Sequence, residues 1–191
     1  MGTPVSASSS DRQLADLISV LGGIRPCINL IDAAGADLKL TLARGGKLLT
    51  AGNGGSAADA LHLTEELVGR FDKERPSLPS IALCADPMLL TCISNDYGFD
   101  RVFSRQIEGL GKPGDALVVF STSGNSPNII RALETAKSRG LKTVALLGKN
   151  GGACKGIADH EIVVPSNSTA RIQEVHAFIL HLWLSQFESE A

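Results

Sequence analysis

The chain has 191 residues, a formal net charge of −2 at pH 7 and 43% hydrophobic residues, a size that favours one domain burying roughly 70% of the surface its unfolded chain would expose. Acidic and basic residues are interspersed and no block of Lys or Arg forms a stripe, which removes nucleic acid as the default partner. No run is expected to reach the roughly 20 apolar residues of a membrane span, no charged segment precedes an apolar one at the N-terminus, and a soluble cytoplasmic protein with no membrane partner is the expectation.

Residues 1–10 are small and Ser-rich and are expected to be a disordered leader. Met1-Gly2-Thr3-Pro4-Val5-Ser6 formally matches a myristoylation pattern, but so short a pattern is easily met by chance. From Asp11, read as an N-cap, apolar residues recur at helical spacing through Leu14, Leu17, Ile18 and Leu21, then Ile28, Leu30 and Ile31, then Leu38, Leu40 and Leu42. Gly22-Gly23 and Pro26 break this run into two helices, so residues 11–45 read as an N-terminal helical segment. It carries more apolar surface than one helix face needs, and both oligomer packing and capping of a sheet would use it.

From Gly46 the pattern alternates, and residues 46–191 read as one α/β domain. Strands are expected at 47–51, 80–84, 116–120, 142–147 and 161–164, with helices at 56–70, 87–93, 101–109, 126–139, 152–157 and 169–188. The strands are rich in Val, Ile and Leu without polar alternation, which is the pattern of a parallel sheet covered on both faces. Cys27, Cys84, Cys92 and Cys154 are scattered with no C-x-x-C pair and read as small buried residues of a reducing compartment.

Two small-residue turns follow apolar runs and open helices: Gly52-Asn53-Gly54-Gly55-Ser56-Ala57-Ala58-Asp59 and Ser121-Thr122-Ser123-Gly124-Asn125-Ser126. A strand passing through Gly into a helix start presents unpaired N–H groups and the positive end of the dipole, and so binds anions. Two such turns suit a phosphate on a hydroxyl-rich body, a phosphorylated sugar. In parallel sheets ligands lie beyond the carboxyl ends of the strands, where the strand order reverses, and both turns lie at carboxyl ends.

Downstream of the first turn, His62 and Glu66 sit four residues apart on one helix and share a face, where they can hold a metal, place a base near a gripped phosphate, or form a solvated pair. On the last helix Gln173 and His181 are eight residues apart, about two turns with an offset near 80°, which permits convergence without demanding it. Ser94-Asn95-Asp96-Tyr97-Gly98 is a polar cluster that could take sugar hydroxyls or form an ordinary turn.

These four segments, GNGGSAADA, NDYGFD, STSGNS and RIQEVH with a later His, together resemble the phosphoheptose isomerases (sedoheptulose 7-phosphate isomerases) of the sugar isomerase (SIS) domain superfamily over residues 45–188. The resemblance implies a three-layer α/β fold with a five-stranded parallel sheet of flavodoxin-like order, extra N-terminal helices, and a homotetramer with sites at subunit interfaces. It implies conversion of sedoheptulose 7-phosphate to D-glycero-D-manno-heptose 7-phosphate, the first step of heptose biosynthesis. By matched position, Glu66 is the general base and His181 its partner acid or base. Substrate-binding positions are Asn53, Gly54, Gly55, Ser56, Glu66, Asn95, Asp96, Ser121, Thr122, Ser123, Ser126 and Gln173. Some family members bind zinc, one ion per subunit, through residues matching His62, Glu66, Gln173 and His181. Aldose–ketose interconversion passes a proton between neighbouring carbons through an enediol, so it needs one base, one proton donor and no nucleotide cofactor. Zinc would polarise the carbonyl, yet a metal-bound Glu66 would be a weaker base.

Pro87 stands where many relatives have a small hydroxyl residue and Ala170 where some have an acid, each removing one hydrogen bond to substrate. Two other functions share parts of this sequence pattern. Non-catalytic SIS-domain tetramers that bind the replication initiator share Glu74-Arg75-Pro76-Ser77-Leu78-Pro79, but tend to lack the acid at position 66 and the late His that this chain keeps. A dinucleotide enzyme would use Gly52-x-Gly54-x-x-Ala57, but needs an acid about 20 positions on at the end of the second strand; Asp72 falls before that strand and Asp86 too late.

Overall fold

A computed structural model describes residues 8–188. Strands β1 (Leu48–Gly52), β2 (Ser80–Ala82), β3 (Ala116–Ser121), β4 (Lys142–Gly148) and β5 (His160–Val164) form one all-parallel sheet in the order β2-β1-β3-β4-β5. The helices are α1 (Ser9–Gly23), α2 (Ile28–Ala43), α3 (Gly55–Val68), α4 (Pro87–Tyr97), α5 (Ser104–Leu110), α6 (Pro127–Ser138) and α7 (Thr169–Phe187). This is the three-layer, flavodoxin-like arrangement implied by the resemblance.

The unbroken apolar runs are explained by alternation within each strand. Leu48, Val118, Phe120, Val144 and Leu146 point to the layer of α1, α2, α3 and α7, whereas Leu49, Leu117, Val119, Ala145 and Leu147 point to that of α4, α5 and α6. Trp183, fully buried on α7, donates its indole N–H to the Ile31 carbonyl at 2.8 Å and ties α2 to the layer. Gly35 makes that approach possible, because a Cβ there would run into the Trp183 ring. The order reverses between β1 and β3, so the two small-residue turns emerge side by side at the carboxyl edge.

Several expectations are corrected. The cap of α1 is Ser8, whose hydroxyl accepts from Asp11 N while Asp11 Oδ2 accepts from Ser8 N; Asp11 is thus the third helical residue of a capping box, and positions 8–10 belong to ordered structure. The remainder of the leader, with the myristoylation match, lies outside the described residues. Ser94–Tyr97 is the end of α4, which Asp86 caps through Met88 N and Leu89 N and Gly98 terminates at φ 90°. Pro87 occupies the first helical position, where its missing N–H costs nothing. Residues 152–157 form only a 3-10 turn, Gly152–Cys154. Of the cysteines only Cys154 is buried, Cys27 and Cys84 are half-buried, and Cys92 is exposed.

The run Ser9–Ala43 is long and apolar enough to cross a membrane, contrary to expectation. It is interrupted by the 3-10 turn Arg25–Cys27, and one face of α2 (Ile31, Ala34, Leu38 and Leu42) enters the core. Ile28, Leu30 and Leu40 of α2 stay exposed, as do Leu14 and Ile18 of α1, 59% and 60% exposed.

Candidate active site

Helices α3 and α6, which follow β1 and β3, begin without any side-chain cap, whereas Ser8, Asp86 and Ser168 cap α1, α4 and α7. Gly54, at φ 57° and ψ −123°, brings the chain into α3; Ser126, followed by Pro127, brings it into α6. Their first turns close on the backbone, Ser56 N on the Asn53 carbonyl and Ile129 N on that of Ser126, so no side chain covers either helix start. A cavity of about 70 Å³ lies between them, lined by Asn53, Ser56, Ser121, Thr122, Ser123 and Ser126 over Phe120. Ser121 Oγ accepts from Gly124 N at 3.1 Å, and Ser123 Oγ from Asn125 N at 3.1 Å, so hydroxyl and amide groups hold the second turn in shape.

One member of this cradle escaped the sequence. Asn128, buried on α6, exchanges two amide hydrogen bonds of 2.9 Å with Asn53 and fastens the first turn to the second. No spacing rule connects positions 75 residues apart.

Further along α3, His62 Nε2 stands 3.4 Å from Glu66 Oε1. The His181 ring meets the His62 ring edge-on with centroids 5.0 Å apart, and Phe71 stacks on His181 at 5.6 Å. Glu66 and His181, 115 positions apart in sequence, thus share one cluster. Burial and then the neighbouring His62 hold the His181 pKa below its ordinary value, against the opposing pull of Glu66. Glu65, not anticipated, completes with His62 and Glu66 a group whose donor atoms lie within 4.8 Å of one another. Gln173 lies elsewhere, its amide packed over Gly55 at the start of α3. Asn95 and Asp96 sit on the exposed face of α4, where Asn95 donates to Asp96 at 2.8 Å, and do not line the cradle.

Asp59 was also missed, although it lies three residues before His62 on the same helix. It is buried, its Oδ2 has no hydrogen-bond partner, and burial pushes its pKa up to about 6, opposed by the attraction of His62. Because the folded pKa lies above the unfolded one, the stabilising protonated state prevails below about pH 4 and is lost as pH rises through about 6. Asp59→Asn should therefore gain on the order of 2 kcal/mol over wild type at pH 7.5, and the gain should vanish near pH 4. Urea unfolding at the two pH values measures it; an equal difference at both would contradict the burial account.

The all-parallel sheet with ligand turns at its switch point is an arrangement that many doubly wound folds share; the sugar isomerase (SIS) domain family matches residues 27–148. A phosphoheptose isomerase of Solidesulfovibrio magneticus is 56% identical over 153 residues, covering 80% of this chain and 74% of that protein. Solved phosphoheptose isomerases superpose closely. That of Francisella tularensis has a TM-score of 0.88 at 36% identity, covering 96% of this chain and all of the other; that of Neisseria gonorrhoeae has 0.88 at 38%, covering 94% and 96%. The chain belongs to the phosphoheptose isomerase family.

Proposed function

We propose that the protein interconverts sedoheptulose 7-phosphate and D-glycero-D-manno-heptose 7-phosphate, with Glu66 and His181 moving the protons. The observation that carries this reading is the meeting of Glu66 and His181 around His62, on a helix whose first turn opens the anion cradle. His62 is two turns from that first turn, about 10 Å at the helical rise, on the scale of an extended seven-carbon phosphate ester. The phosphate would sit between the α3 and α6 starts, at the positive ends of their dipoles, against the hydroxyls of Ser56, Ser121, Thr122, Ser123 and Ser126. Gln173, over Gly55, would contact the substrate near its phosphate end.

In the reaction Glu66 would remove the proton from the carbon beside the carbonyl. His181 would then exchange protons with the oxygens of the enediol and help return hydrogen to the neighbouring carbon. Its lowered pKa supports a neutral ring near pH 7, able to give one proton and take another. Proton NMR of the protein incubated with sedoheptulose 7-phosphate tests the assignment: product signals support it, and an unchanged spectrum with active-site-competent protein refutes it.

His62, Glu65 and Glu66 hold their donor atoms within 4.8 Å of one another, and the His181 ring stands beside His62, imidazoles and carboxylates of the kind that zinc accepts. We assign one zinc ion per subunit to His62, Glu66 and His181; Gln173, the fourth ligand that family resemblance implies, packs over Gly55 two turns away and would have to swing toward them, and the ion when bound would supply Lewis acidity at the carbonyl oxygen. Elemental analysis of tag-free protein should find zinc, and chelation should lower activity. Full activity in metal-free protein would remove zinc from the scheme.

We further assign the apolar surface of α1 and α2, in residues 11–45, to packing between copies in a homotetramer, and residues 46–191 to the SIS domain. Leu14 and Ile18 support this by their exposure. Asn95 and Asp96, away from the cradle of their own chain, would then serve a neighbouring copy. A cytoplasmic location, with no nucleic acid, membrane or nucleotide partner, completes the reading. The adaptor alternative is set aside in favour of the isomerase family.

A further inference from the structure

The segment between α3 and β2 has neither helix nor strand over residues 70–79, yet it places Phe71 flat on the His181 ring, with centroids 5.6 Å apart and planes inclined by 21°. Its backbone is held by a carboxylate from the other end of the domain. Glu188, the residue that ends α7, accepts from three successive amides: Oε1 from Phe71 N at 3.2 Å, and Oε2 from Asp72 N at 3.0 Å and Lys73 N at 2.9 Å. Consecutive amides converging on one anion form a nest.

The same carboxylate faces Arg75, with Nε 3.3 Å from Oε1; these side chains are only 4% and 11% exposed, respectively. Arg75 in turn donates from Nη2 to the Glu66 carbonyl at 2.6 Å and from Nη1 to the Leu67 carbonyl at 3.0 Å, taking up orphan carbonyls at the end of α3. One buried carboxylate is thereby linked to both halves of the proton-transfer pair. It reaches His181 through Phe71, and the backbone of Glu66 through Arg75.

We propose that Glu188 is a positioning residue for the isomerisation, folding residues 71–75 into a strap that fixes the His181 ring against Phe71 and anchors the turn of α3 bearing Glu66. Glu188 does not touch substrate. This rests on the reading of Glu66 and His181 as the proton-transferring groups.

A wholly structural role would loosen the domain and change every kinetic constant independently of Phe71. A positioning role makes a narrower demand: the loss must be in kcat, and it must pass through the aromatic ring. Glu188→Gln keeps the size of the side chain and withdraws its charge. Phe71→Leu keeps an apolar side chain and withdraws the stacked face.

The experiment measures kcat and KM for wild type, Glu188→Gln, Phe71→Leu and the double variant, with thermal unfolding of each. The His181 ring proton is followed by NMR at one fixed pH in protein carrying ¹³C-labelled histidine. The expected result is that each single variant loses about tenfold in kcat with KM within about twofold, and that the double variant is no slower than Phe71→Leu alone. The ring-current shift that Phe71 imposes on His181 should fall in both single variants.

Unchanged kcat and an unmoved His181 resonance in Glu188→Gln would overturn the proposal, as would losses that multiply in the double variant. If Glu188→Gln does not fold, a normal kcat and an unmoved resonance in Phe71→Leu also overturn it. Failure of the underlying reading looks different. In that case His181→Ala retains turnover, while the His181 resonance still moves when Glu188 is changed.

Discussion

Glu66→Gln is expected to reduce turnover by about 10²–10⁴-fold, the range for loss of a positioned general base, while substrate affinity changes little. The amide has the shape of the carboxylate and keeps an oxygen facing His62 Nε2, 3.4 Å away, so the cluster retains its geometry. It cannot take a proton from carbon. The phosphate cradle, lined by Ser121, Thr122 and Ser123 and by the start of α3, lies away from this substitution. His181→Ala should show the same division between kcat and KM. Steady-state kinetics with direct binding of the sugar phosphate checks both, and full turnover in both variants would defeat the assignment.

Gly124→Ala should cost about 3 kcal/mol and raise KM for the phosphosugar at least about tenfold. Gly124 has φ +63°, a conformation unfavourable for Ala by roughly 1–2 kcal/mol. The new Cβ would also strike the carbonyl of Gly151, a backbone atom that moves only with its segment. That segment cannot shift freely, because Cys154 N donates to Gly124 O at 2.8 Å. Relief would pull Gly124 N from Ser121 Oγ and open the second turn, where a lost charge-assisted hydrogen bond is alone worth about 1.5–3 kcal/mol. Gly45, at φ +82° with open space around it and at the opposite edge of the sheet, is the matched control. Gly45→Asn should leave KM unchanged and cost under about 1 kcal/mol. Thermal unfolding and competition by inorganic phosphate separate the two; equal behaviour would refute the steric argument.

The layers were legible in the sequence because local pattern and tertiary environment agree. Leu117 to Phe120 and Val144 to Leu147 are apolar at every position, and the sheet buries both of their faces. The two turns were legible because glycine and serine at a strand end have few other uses. The end of α4 was less legible, because Asn95, Asp96 and Gly98 are turn formers, whereas the helix that Asp86 caps continues to Tyr97. Asn128, Asp59 and Phe71 were missed for another reason. Their importance lies in what faces them across the fold: an amide 75 positions away, an apolar enclosure, or the ring of His181.

The reciprocal amides of Asn53 and Asn128 have a thermodynamic corollary. Two loops from separate crossovers, each able to wander alone, are locked into one mould before any guest arrives. Their ordering entropy is spent during folding, so an incoming anion surrenders mainly its own freedom and its hydration.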